Sequence, residues 1–244
     1  VADYVLVQVE KELYDGISTG EIFEIVLRAL LLVEEKLAYK YDLKGAIMRL
    51  GPNGYNFEDY VAAIFSAYGF KTKVRQVLKG RCVSHEVDIL MKREKNGKKV
   101  NYFGECKYKN APGLVVNLKE ALYTYARFLD LNRNGHKFTA PWLITNTRFT
   151  KEVEKYSECV GIRLLSWKFP PGKGLEKIVE KKKLYPITII RGINRGLKER
   201  MVQAGIILAK ELTLEPEELA EKLHLPVGKI RPYVLKARVL FEND

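Results

Sequence analysis

Ser84-His85-Glu86-Val87-Asp88-Ile89-Leu90-Met91 and Val100-Asn101-Tyr102-Phe103-Gly104-Glu105-Cys106-Lys107 lie on either side of Asn96-Gly97, and reading them as one β-hairpin decides the fold. Asn-Gly is the strongest short-range signal for a two-residue hairpin loop, because both central positions need φ > 0. With Lys95 and Lys98 closing the loop, opposed residues have numbers that sum to a constant. Asp88 then lies across from Glu105, and Glu86 across from Lys107. Strand alternation places Glu105 and Lys107 on one face, and Val87, Ile89 and Met91 on the other with Tyr102, Gly104 and Cys106. Two carboxylates held about 5 Å apart repel, and folding gains nothing from them without a cation between. The expectation is that removing either charge leaves the metal-free fold as stable as before, or slightly more so.

A chain of 244 residues, 47% of them hydrophobic, can bury a sizeable core. The formal charge of +12 and pI near 9.4 point to a polyanionic partner. That charge is uneven: residues 51–168 carry 21 Lys and Arg against 11 Asp and Glu, whereas residues 1–50 carry 6 against 9. Three scattered cysteines, Cys82, Cys106 and Cys159, form no CxxC and offer no zinc-ligand spacing. A reduced, cytoplasmic protein is expected. No apolar run reaches the roughly 20 residues that span a bilayer, no segment reads as a secretory leader, and no membrane partner is expected.

Residues 1–50 read as helices, with Ile22, Ile25, Val26, Ala29, Leu30 and Val33 at helical spacing behind an N-cap at Ser18 or Thr19. Gly51-Pro52-Asn53-Gly54 marks a boundary. Asn56 is then expected to cap a helix ending at Gly69. Strand periodicity follows near 70–78, 82–93 and 99–108, then a helix around Val116 to Leu129. Pro141 to Thr145 reads as a strand, Thr150 as the cap of a short helix, and Ile162 to Trp167 as another strand. This order implies an α/β core over residues 51–170, preceded by a helical segment over 1–50. A basic linker over 171–184 and an all-helical region over 185–244 are expected to complete the chain.

Asp88 and Glu105 supply carboxylates of the kind that hold Mg²⁺, a cation that takes a few acidic ligands and keeps several waters. Lys107 can position a water or stabilise negative charge developing at phosphorus, and Glu58, on the helix before the sheet, adds a further acid.

This pattern resembles the PD-(D/E)xK nuclease superfamily, in particular its Mrr-like restriction endonuclease branch and the archaeal Holliday junction resolvases. The match runs over about residues 54–168. It is carried by Asn56-Phe57-Glu58, Tyr68-Gly69-Phe70, His85-Glu86-Val87-Asp88, Gly104-Glu105-Cys106-Lys107 and Leu143-Ile144-Thr145-Asn146. An acid followed by ExK is common by chance; the helix Glu, the hairpin register and the trailing αβ order make the combination specific. The proline that precedes the first acid in that superfamily is Val87 here. The resemblance implies a restriction-endonuclease-like core, a mixed sheet flanked by helices, that hydrolyses phosphodiester bonds in double-stranded, branched or modified DNA. It further implies Asp88 and Glu105 as ligands of Mg²⁺ or Mn²⁺, Lys107 as the catalytic lysine and Glu58 as the helix-borne acid. Paired cuts would favour a homodimer.

Ile189 to Ile206 and Glu217 to Leu240 resemble two helix-hairpin-helix units. Gly192 and Gly196 would let the hairpin backbone approach a phosphate, with helix-terminal amides as donors. Arg191, Arg195, Lys198 and Lys229 would add sequence-independent attraction. The first fifty residues resemble the second half of an ATP-cone, around Ile17 to Ile22 and Ala38 to Tyr41. The glycine-containing basic segment that opens an ATP-cone is missing, so tight ATP binding is not expected.

Against an endonuclease stand a non-catalytic DNA-binding scaffold that keeps the fold, in which Asp88, Glu105 and Lys107 form an ordinary solvated face, and a nucleotide-responsive regulator. The intact acidic residues and lysine disfavour the first, and the missing start of the ATP-cone the second. His85 and Cys106 are read as structural.

Overall fold

The computed structural model describes residues 1–51, 54–95, 97–111 and 113–241. The middle of the boundary at 51–54 and the first turn residue, Asn96, therefore lie outside the described residues. The helices are α1 (Ala2–Glu12), α2 (Thr19–Val33), α3 (Glu35–Tyr41), α4 (Leu43–Met48), α5 (Tyr55–Ala67), α6 (Leu118–Arg133), α7 (Lys151–Val160), α8 (Leu175–Lys181), α9 (Arg195–Gln203), α10 (Pro216–Leu223) and α11 (Val227–Phe241). The strands are β1 (Lys71–Lys79), β2 (Ser84–Lys95), β3 (Lys98–Lys107), β4 (Val115–Val116), β5 (Ala140–Thr145), β6 (Arg148–Phe149) and β7 (Arg163–Leu165).

Residues 47–186 form one compact unit, built on a five-stranded mixed sheet in the order β1-β2-β3-β5-β7. The first three strands are antiparallel, and β3, β5 and β7 run parallel. The hairpin register is the expected one, with Lys95 opposite Lys98, Met91 opposite Tyr102 and Ile89 opposite Gly104. Helix α5 covers one face, where Phe65 meets Trp142 edge to face. Helix α6 covers the other, where Phe128 and Leu131 join Phe103 and Leu90. Asn117 caps α6 by accepting from the Lys119 amide, and Glu120 completes the capping box.

Three local readings change. Helix α5 starts at Tyr55 with Gly54 as its N-cap, and the Asn56 side chain instead donates to the Leu50 carbonyl at 2.8 Å. Residues 171–184 are no linker. They carry α8, bury Leu175, Val179 and Leu184, and are tied to α5 by the Tyr60 hydroxyl on the Leu184 carbonyl. Val87 packs with Phe103 and Leu131 on the α6 side, away from Ile89 and Met91. The strand alternation slips one step at Asp88, where Arg75 on β1 adopts a left-handed φ of 50°.

Residues 1–46 and 187–244 form the second compact unit, where separate N- and C-terminal pieces were expected. Ser18 is the N-cap of α2, in a capping box with Glu21. The Thr188 hydroxyl, in a 3-10 turn over Ile187–Ile189, donates to the Ala46 carbonyl. Leu27, Leu30 and Ala38 pack with Val5, Phe23 and Val26 inside the N-terminal piece, and α3 packs against α11, which carries the buried Ile230 and Val234.

Candidate active site and basic surface

The sheet forks where the acidic residues stand. The β2–β3 ladder ends at Ile89 and Gly104, while β2 continues against β1 to Ser84 and β3 continues against β5 to Lys107. The pairing of Glu86 with Lys107 is therefore not made by the ladder. In the fork the Cys106 N–H, which no longer faces a β2 carbonyl, donates to Asp88 Oδ2 at 2.6 Å. A buried amide left without an acceptor costs about 1–3 kcal/mol. The Asp88 carboxylate prevents that loss.

Burial, and then the neighbouring Glu105 charge, push the Asp88 carboxyl well above the usual carboxylate range. Glu105 is buried at 2% exposure. One of its oxygens is 2.6 Å from Lys107 Nζ, and the other is bonded to Arg127 Nη1 from α6. Burial alone would lower the Lys107 ammonium, but Glu105 holds it above its ordinary value. Glu58 is also buried, and burial raises its carboxyl despite an ion pair with Arg75 Nη1 at 3.3 Å. Its charge also contributes to the upward shift at Asp88. All four sequence-predicted residues, Glu58, Asp88, Glu105 and Lys107, thus fall in one electrostatically connected cluster.

Arg127 was not anticipated. It is 7% exposed, donates to the Tyr123 hydroxyl at 2.7 Å and lies over that ring with 4.6 Å to the centroid. Its signal is present in the sequence: Ala121, Thr124, Arg127 and Leu131 form the buried stripe of α6, and a charge on such a stripe calls for a buried counter-ion. His85 and Cys106 are structural as read. His85 Nε2 is 2.8 Å from Asp130 Oδ2 on α6, and the buried Cys106 thiol is pushed far up by burial.

No group of three or more His, Cys, Asp or Glu side chains able to hold a metal occurs among the described residues. Two carboxylates are nevertheless a fitting donor set for Mg²⁺, which needs one or two and fills its remaining positions with water. Burial first, and then the Glu105 charge, disfavour the ionised form of Asp88 in the metal-free protein.

In the helical unit, Asn194 caps α9 by accepting from the Leu197 amide, and Gly192 precedes it at φ 93°. The first turns of α9 and α11 line one groove of about 520 Å³ through Asn194, Gly196, Gly228 and Lys229. Gly192, Arg195, Gly196 and Lys229 are exposed and Arg191 half-exposed, its guanidinium 4.0 Å from Glu24. Lys198 is different: it is buried, and desolvation lowers its ammonium. From its place on the inner side of α9 it presents little charge to a polyanion.

Residues 51–168 match the restriction endonuclease family model of Mrr type, and residues 185–240 match the AF1548-like C-terminal family. An uncharacterized protein of Archaeoglobus fulgidus is 39% identical over 178 residues, which make up 73% of this chain and 98% of that protein. The crystal structure of AF1548, a protein of unknown function, superposes with a TM-score of 0.68 at 39% identity, covering 78% of this chain and all of that one. The MspJI restriction endonuclease in complex with a 27-mer oligonucleotide gives a TM-score of 0.38 at 15% identity over 78% of this chain and 39% of its own. With the family match over the forked sheet and the identity across the whole A. fulgidus relative, the chain belongs to the restriction-endonuclease-like superfamily.

Proposed function

We propose that this protein is a divalent-metal-dependent DNA endonuclease. The observation that carries the reading is the fork in the sheet, which gathers Asp88, Glu105 and Lys107 at one point and leaves Asp88 with a carboxyl raised by burial and by Glu105. Asp88 and Glu105 would hold Mg²⁺ or Mn²⁺, which when bound lowers the pKa of a water and stabilises charge on a phosphate. Lys107, kept protonated beside Glu105, positions the attacking water or offsets negative charge on the scissile phosphate. Arg127 fixes the Glu105 side chain from behind, and Arg75 does the same for Glu58. DNA affinity is assigned to the helical unit, read as a helix-hairpin-helix region. There Gly192, Gly196 and the first turns of α9 and α11 offer amides to phosphates, and Arg191, Arg195 and Lys229 add charge, with Lys198 a minor contributor.

The test is cleavage of a panel of linear, flapped and four-way-junction DNAs with Mg²⁺ or Mn²⁺. Wild type should cut at least one of them. Asp88→Asn, Glu105→Gln and Lys107→Ala should each lose roughly 100-fold or more in rate. Lys107→Ala should keep its metal affinity, since an ammonium is no ligand. A wild type that cuts none of these DNAs with any divalent ion overturns the proposal.

A further inference from the structure

On the face of the sheet opposite Glu105, the core unit holds an apolar pocket of about 490 Å³. Phe65, Phe70 and Trp142 wall it, Phe65 meeting both other rings edge to face at 5.5 and 5.3 Å. The size lies within the usual range for small-molecule sites. Three cations line this otherwise apolar space: Arg93, Arg163 and Lys173. Among the described residues none of them is ion-paired. Two are held by aromatic rings, Arg93 over Phe70 with 5.4 Å to the centroid, and Arg163 over Tyr102 with 4.7 Å and over the pocket's Trp142 with 5.7 Å. A stacked guanidinium keeps its N–H edge free, and that edge matches phosphate oxygens two at a time.

Charge and shape together define the occupant. Three unpaired cations exceed what one carboxylate balances, whereas a phosphate monoester carries nearly two negative charges at neutral pH. The apolar walls suit an uncharged ring system beside it. We infer that this pocket binds a nucleoside monophosphate unit, its base between the aromatic walls and its phosphate on Arg93, Arg163 and Lys173. The unit is either a free nucleotide or the 5′-phosphorylated end of a DNA strand. The inference does not depend on the endonuclease reading, because none of its residues belongs to the Asp88–Glu105 cluster.

Calorimetry on the full chain tests it with two probes, the four deoxynucleoside monophosphates and a 5′-phosphorylated tetranucleotide. Arg93→Gln and Arg163→Gln should each weaken binding tenfold or more, with melting temperatures confirming that both variants fold. Lys107→Ala should bind as wild type does, which separates this pocket from the acidic cluster. Saturable binding of monophosphates with that pattern identifies a free nucleotide as the ligand. Binding of the tetranucleotide alone, with the same pattern, identifies a strand end. No saturable binding of either probe at millimolar concentration overturns the inference. So does binding that survives both arginine substitutions, or that is lost in Lys107→Ala.

Discussion

Asp88 Oδ2 accepts the Cys106 backbone N–H at 2.6 Å, so a side chain of β2 completes the hydrogen bonding of β3 where the two strands part. The carboxylate bridges the two strands at the mouth of the fork. An amide oxygen at the same position accepts the same N–H without a charge. Burial and Glu105 raise the Asp88 carboxyl in the folded protein, so the folded state keeps its proton to a higher pH than the unfolded chain does. Between the ordinary carboxylate pKa of about 4 and that raised value, metal-free stability therefore falls as pH rises. Asp88→Asn should remove the fall, leaving the variant about 1–2 kcal/mol more stable than wild type at pH 8. The gain should shrink towards zero near pH 4. Urea denaturation in EDTA across that range checks it, and a gain that does not vary with pH would reject the assignment.

Glu105 should behave oppositely to Asp88, because its environment is not the symmetric one expected from the hairpin alone. Its two oxygens answer Lys107 and the buried Arg127. Removing one partner of a buried pair leaves the other charge desolvated and costs about 3–5 kcal/mol. Glu105→Gln should lose stability on that scale in metal-free protein, and Glu105→Gln with Arg127→Met should recover most of it. Equal stability of Glu105→Gln and wild type would show that Arg127 has another partner.

Much of this is legible in the sequence, and the exceptions share a cause. Asn-Gly and the alternation around it set the hairpin register, because a two-residue loop admits one pairing. Helical spacing locates α2, α5 and α6. The fork is not legible, since register arithmetic continues two strands side by side beyond the point where β2 and β3 part. Strict alternation accordingly puts Val87 on the wrong face. Likewise nothing local joins residues 1–46 to residues 187–244, which form one compact unit although the whole core unit separates them in sequence. Pro170-Pro171-Gly172 and Lys181-Lys182-Lys183 have the composition of a linker, yet the apolar Leu175, Val179 and Leu184 between and after them are the informative residues.

Asp130 ties the β1–β2 connection to α6. Its carboxylate takes the Cys82 amide at 2.9 Å, the Val83 amide at 3.4 Å and His85 Nε2 at 2.8 Å. The hydrogen bond from His85, with those of Cys82 and Val83, holds its carboxyl well below the usual carboxylate range. The stabilisation is thus fully present above the unfolded pKa near 4 and is lost as pH falls towards the depressed folded value. Asp130→Asn should lower the melting temperature at pH 7, by an amount that shrinks steadily below pH 4. Gly80→Ala should destabilise as well, since a Cβ there would lie 2.0 Å from Asp130 Oδ2 and 2.6 Å from the Val83 carbonyl oxygen. A glycine-to-alanine change without cost would show that the connection shifts freely.

The proposed DNA surface needs point substitutions for its test, because deleting residues from 185 onward would also strip α2 to α4 of the partner in their shared unit. Arg195 and Lys229 are exposed in the first turns of α9 and α11, whose starts line the same groove. Every cation withdrawn from a phosphate should reduce the slope of log affinity against log salt by about 0.9 on duplex DNA. The double substitution Arg195→Gln and Lys229→Gln should therefore flatten the slope by about 2, and weaken binding most at low salt. Lys198→Gln, by contrast, should leave the slope unchanged, because that residue is buried on α9. Fluorescence anisotropy on a labelled duplex between 50 and 300 mM salt, on the order of the range where counterion release dominates, resolves these slopes. If Lys198→Gln alone flattens the slope while the Arg195 and Lys229 substitutions do not, polyanion binding lies on a different face of the helical unit.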